Sequence, residues 1–195
     1  MPPILQDVSW DRMIAAVEAV RERMLRAAGA LEKAGIPYAV AGGNAVAAWV
    51  SRVDRAAVRN TQDVDILVRR SDFEAVKATL ESVGFRHRHM AGIDMFLDGD
   101  TTKVRDAVHL LFAAEKVREE YPLPSPDVEP ADHSGGYWVV EFAGLVQMKL
   151  NSYRDKDRTH LRDMIDVGLL DASWLPKLIP EHAAKLQALL DNPDG

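Results

Sequence analysis

A chain of 195 residues, 47% of them hydrophobic, is long enough for one folded domain with a proper core. Its formal charge of −6 argues against a protein that coats nucleic acid, and its lack of cysteine excludes disulfides and cysteine-ligated zinc. No apolar run approaches the roughly 18 residues of a membrane span. The opening MPPILQDVSWDR has no basic-then-apolar leader, so a cytoplasmic location is expected.

Ser9 is placed to cap a helix that begins at Trp10. Trp10, Met13, Ile14, Val17, Val20, Met24, Leu25, Ala28 and Leu31 recur near helical spacing as one apolar stripe, which Gly35, Ile36 and Pro37 stop. Tyr38 to Ala41 reads as a short buried strand, Asn44 to Val50 as a short apolar helix, and Ser51 to Gln62 as a loop. Val64, Ile66 and Val68 form the buried face of the next strand. Ser71 to Glu74 has the spacing of a capping box, and the helix it starts ends at Gly84. Residues 86–97 and 103–112 read as two strands around the turn Asp98-Gly99-Asp100. Four prolines between 122 and 130 mark a connector, and Tyr137 to Glu141 adds a strand. From Ala143 the pattern is helical. The expected outline is a single α/β (α+β) domain over 1–195, with a mixed sheet flanked by helices at 36–142 and a helical part at 143–195.

The segment from Tyr38 to Val68 carries the chemistry. Asp63 and Asp65 lie two positions apart, so on a strand they share a face. Val64, Ile66, Leu67 and Val68 around them are apolar, and two acids in such a strand are costly without a partner cation. Hard divalent ions take carboxylate oxygens and complete their shell with water or substrate phosphate. Upstream, Gly42-Gly43 opens a helix, whose N-terminus suits phosphate, and Asn44 adds a side-chain amide. Arg59 and Thr61 lead into the acid pair, where a planar guanidinium is useful beside polyphosphate. Further on, Lys149 interrupts an apolar helix segment and is expected to line a cleft, and with Arg154 it is a candidate triphosphate contact. Arg158, Arg162, Asp163 and Asp166 read equally well as a solvated salt-bridge pattern. His87, His89, His133, His160 and His182 have no metal-ligand spacing; His109 sits inside an apolar strand.

Together these residues resemble the minimal nucleotidyltransferases of the DNA-polymerase-β superfamily, and among them the abortive-infection toxin type. Gly42, Gly43, Asp63 and Asp65 match the family's glycine pair and acid pair. Arg59 and Thr61 match the lead-in, and Lys149, Arg154 and Asp163 match the C-terminal helix. The resemblance implies a magnesium-dependent transferase, with manganese as an alternative metal. Asp63 and Asp65 would hold the metal. Gly42, Gly43, Asn44, Arg59, Thr61, Lys149 and Arg154 would hold the nucleoside triphosphate. One departure stands out: His109 takes the place of the family's third acid. Imidazole is a poor magnesium ligand. Either His109 is a general base on an acceptor hydroxyl, or turnover is lost and the chain binds a nucleotide or a protein partner, as in a toxin–antitoxin pair. Asp94, Asp98 and Asp106 are other sources of a third carboxylate. The acceptor, whether tRNA, protein or small molecule, is not encoded in any motif.

Overall fold

Period-two alternation in the central strands divides this chain into two hydrophobic layers. The computed structural model describes residues 9–99 and 106–193. In chain order the elements are α1 (Trp10–Lys33), β1 (Tyr38–Ala41), α2 (Gly42–Ser51), β2 (Val64–Val68), α3 (Phe73–Ser82), β3 (Phe85–Met90), β4 (Ile93–Asp98), β5 (Ala107–Phe112), β6 (Ala131–Ser134), β7 (Tyr137–Val140), α4 (Phe142–Ser152), α5 (Asp155–Asp166) and α6 (Pro180–Asp191). The strands form one mixed sheet in the order β3-β4-β5-β2-β1-β7-β6. Val40, Val64, Ile66, Val68, Val108 and Leu110 face α1 and α3. Ala39, Ala41 and Leu67 face the opposite way and pack with Val46, Leu145, Leu150, Leu161 and Leu186. The expected class, a mixed sheet flanked by helices with a helical C-terminal part, is the observed one. No helix among the described residues is long and apolar enough to cross a membrane.

One row across the sheet positions the site. Ala41 on β1 is opposite Asp65 on β2, Asp65 is beside His109 on β5, and His109 is opposite Met95 on β4. Cross-strand partners share a face, so Asp65 and His109 both point toward the side covered by α2, α4 and α5.

Four local expectations are corrected. The apolar stripe of α1 is half solvent-facing: Met24, Ala27, Ala28 and Leu31 are buried, whereas Trp10 is 72% exposed and Met13, Ile14 and Val17 are also exposed. A helix of 24 residues is about 36 Å long, and among the described residues the N-terminal half of α1 buries none of its side chains. Residues 86–97 are not one strand, because a turn at Ala91-Gly92 divides them into β3 and β4. Both turn residues have positive φ, the geometry of a tight two-residue hairpin, and an alanine there hides the signal. The Asp98-Gly99-Asp100 turn lies partly outside the described residues. At α3 the capping box does not form: Ser71 Oγ bonds Asp72, and a short 3₁₀ turn at Arg70–Asp72 leads into the helix. Finally, the strand at Tyr137 has a hairpin partner, β6, ahead of it.

Candidate active site

The site begins where β1 runs into α2. Gly42 has φ +64°, and a Cβ there would fall 1.9 Å from Asp65 Oδ2. A Cβ on Gly43 would come within 2.8 Å of the Thr61 side chain. Both glycines are therefore required by close approach, the first to a carboxylate and the second to the loop that delivers the acids. Asn44 Nδ2 donates to the carbonyl of Asp63 at 2.8 Å. Its amide ties the start of β2 to the start of α2, which fixes the acid pair against the glycine turn.

Asp63 lies just before β2, and its Oδ2 accepts from Lys156 Nζ of α5 at 3.3 Å. Asp65 Oδ1 lies 3.6 Å from His109 Nδ1, long for a hydrogen bond but close for charge. Burial pushes the Asp65 carboxyl up, but His109, Lys149 and Lys156 more than offset it and hold the group below its ordinary value. Asp65 is therefore an anion at neutral pH, beside an imidazole and under a group of cations.

Those cations come from the α4–α5 corner. Tyr153 adopts a left-handed conformation that ends α4, and the chain turns directly into α5. Lys149 does not line an open cleft: it is buried and paired with Asp157 at 3.1 Å. Asp157 also accepts from Arg154 Nε at 2.8 Å and Ser152 Oγ at 2.7 Å. Arg59 reaches across from the loop and donates through Nε to both oxygens of Asp163, at 2.8 and 2.9 Å. Its guanidinium ties the loop ahead of the acid pair to α5. The structure thus gathers Gly42, Gly43, Asn44, Thr61, Asp63, Asp65 and His109 at one place. Lys149, Arg154 and Lys156 stand beside them, and Arg59 sits at the edge.

Lys156 and Asp157 have no place in the sequence reading. Asp157 is separated from Lys149 by a helix break, so its pairing has no helical spacing to reveal it. The only available signal was the Arg154–Asp157 interval at a helix start.

A third carboxylate is not supplied by the other acids considered. Asp94 accepts from His87 and His89, at 2.9 and 3.0 Å. Met95 shares the face of His109, so its neighbour Asp94 faces the α3 side. Asp98 pairs with Arg23 and Arg26 of α1, and Asp106 lies 3.8 Å from Arg23. Among the described residues no group of three or more His, Cys, Asp or Glu is arranged to hold a metal. A groove of about 560 Å³ lies between Pro126, Glu141, Gln147 and Trp174 and touches none of the acid-pair cluster.

A family model described as an uncharacterised nucleotidyltransferase matches residues 9–123. The chain belongs to this nucleotidyltransferase family. The match covers more than half of the chain and includes both glycines, the acid pair and His109. Among solved structures, the chain is similar to JHP933 from Helicobacter pylori, with 15% identity, a TM-score of 0.50, and coverage of 96% of this chain and 78% of that one. It is also similar to an antigenic nucleotidyltransferase-like protein from Paracoccidioides brasiliensis, with 19% identity, a TM-score of 0.48, and coverage of 96% and 91%. A third similar structure is the antibiotic-resistance factor ANT(2'')-Ia, with 14% identity, a TM-score of 0.48, and coverage of 91% and 84%. The likeness to JHP933 is one of fold. No curated protein matches the sequence. The family assignment agrees with the sequence resemblance; of the acid pair, Asp65 lies on β2 and Asp63 just before it.

Proposed function

We propose that this nucleotidyltransferase transfers a nucleoside monophosphate from an NTP to an acceptor hydroxyl, with Mg²⁺ or Mn²⁺ held by Asp63 and Asp65. The observation that carries the reading is the contact of Gly42 with Asp65, in the same cross-sheet row as His109. It puts a glycine-opened helix N-terminus, an ionised carboxylate and an imidazole within one small space. The donor set fits a hard ion: two carboxylates, one of which already attracts the Lys156 ammonium. A bound divalent ion would stabilise negative charge on the phosphate oxygens.

The chain's own residues do the rest. Arg154 and Lys156, with Lys149 behind them, neutralise the triphosphate. The turn at Gly42-Gly43 admits phosphate close to the backbone. His109 accepts the proton of the acceptor hydroxyl as its oxygen bonds to the α-phosphorus, and the bond to pyrophosphate breaks. Asp65 orients that imidazole. The test is pyrophosphate release from NTP with Mg²⁺. Asp63→Asn is expected to lower it at least about a hundredfold while the protein stays folded; wild-type rates in this variant remove the proposal.

A second reading has one observation in its favour: His109, rather than a third acid, flanks Asp65. On that reading the chain binds a nucleotide, or a protein partner of antitoxin type, without turnover. Thermal stabilisation by NTP and Mg²⁺ with no pyrophosphate released would select it.

A further inference from the structure

We propose that Asp157 is a positioning residue that holds Arg154, with the buried Lys149 behind it, as a polyphosphate clamp near Asp65. The idea rests on the nucleotidyltransferase reading for its ligand class, but its geometry stands by itself. The Asp157 side chain is 0% exposed, and both of its oxygens are used. Oδ1 accepts from Lys149 Nζ; Oδ2 accepts from Ser152 Oγ, Arg154 Nε and, at 3.3 Å, Arg154 N. A fully buried carboxylate with this many donors fixes their directions.

The way the donors are held points to a ligand. Asp157 takes only the Nε of the Arg154 guanidinium, which leaves its two terminal amino groups unused by that carboxylate on a side chain that is 55% exposed. Lys149 has three donor hydrogens and spends one on Asp157. Asp65 lies near enough to raise Arg154, after the opposing effect of burial and the pull of Asp157. Lys149 in turn helps lower Asp65. Two cations against one buried anion leave a net positive charge aimed at the acid pair. A chain of phosphates reaching from Asp65 to this corner would meet a pre-set fork, with the buried Lys149 ammonium adding charge from behind. The fork would not have to be ordered on binding.

The experiment measures binding of inorganic tripolyphosphate to the full chain by calorimetry, without nucleotide. By charge alone, removing an acid near an anion site tightens anion binding. Positioning predicts the opposite: Asp157→Asn weakens tripolyphosphate by about tenfold, comparable to Arg154→Met. Equal or tighter binding in folded Asp157→Asn overturns the proposal, as does a wild type that binds no tripolyphosphate. Asp157→Asn leaves a buried lysine unpaired and can unfold the chain. The second comparison is therefore Lys149→Met with and without Asp157→Asn, where no buried lysine remains. There the added Asp157→Asn must still weaken binding, because Arg154 loses its anchor; unchanged affinity overturns the clamp. Pyrophosphate release is scored separately. An Asp157-dependent anion site with no release sinks the transfer reaction and keeps the clamp, and release with unaltered anion affinity does the reverse.

Discussion

Gly42 and Asp65 occupy space that a single methyl group would destroy: a Cβ on the glycine would stand 1.9 Å from the carboxylate oxygen. Gly42 also has φ +64°, which an L side chain adopts at a cost. Gly42→Ala is therefore expected to lower unfolding free energy by about 1–3 kcal/mol and to turn Asp65 away from His109. Chemical denaturation measures the first effect and pyrophosphate release the second. An unchanged denaturation midpoint contradicts the packing described.

Lys149 and Asp157 form an ion pair with side chains only 7% and 0% exposed. Removing Asp157 strands the lysine in a dry site, and removing Lys149 leaves the buried carboxylate with only Arg154 and Ser152. Lys149→Met alone is expected to cost about 3–5 kcal/mol, whereas Lys149→Met with Asp157→Asn recovers most of it. Thermal unfolding of the two variants checks the coupling. Simple additivity, with the double variant less stable than either parent, rules it out.

Acid sensitivity should come in two windows. The His160 ring is held down to about 4, chiefly by burial and then by Lys149, while Asp157 and Asp163 pull the other way. An unfolded histidine titrates near 6.5. Between those values the unfolded chain binds a proton that the folded chain refuses, so stability falls as pH falls from about 6.5 to about 4. His160→Gln should reduce the slope of melting temperature across that range, with His182, also held down by burial, keeping part of it.

Asp157 governs the lower window. Burial raises its carboxyl, but Lys149, Arg154 and Ser152 outweigh that and bring it down to about 2. Its folded value is depressed, so its contribution is complete above about pH 4 and is lost as pH falls toward about 2. In the Lys149→Met background, Asp157→Asn should lessen the pH dependence there, while Asp65 and Asp94, which are also held down, keep part of it. Melting curves from pH 2 to 7 separate the two groups.

The two halves of α1 should respond differently to truncation. Leu31 is fully buried against the sheet and Trp10 is 72% exposed. Leu31→Ala is expected to cost about 2–5 kcal/mol and Trp10→Ala less than about 0.5 kcal/mol. Denaturant midpoints for the pair test whether the N-terminal half of the helix is unsupported.

Periodicity and punctuation made much of this architecture legible. Tyr38 to Ala41 and Val64 to Val68 stand in the structure as the apolar runs foretell, because buried strands need little beyond a short hydrophobic segment. Ser9 caps α1 for the same local reason: its oxygen accepts from the N–H of Arg12. The β3–β4 turn was hidden because an alanine there takes a conformation usually left to glycine. The exposed end of α1 was hidden because an apolar stripe reports what a helix is able to bury, not how far its partner extends.

The amino-acid order by itself determined the class of fold and which short stretch carries the acids and glycines, since strand alternation and turn chemistry act over a few residues. Tertiary structure alone decided which charges face one another. Sheet register put His109 beside Asp65 and turned Asp94 to the opposite face. Helix docking brought Lys156 to Asp63 across 93 positions of chain. A helix break let Asp157 face Lys149. Such pairings depend on through-space distance, and electrostatic energy falls with distance in space rather than along the chain.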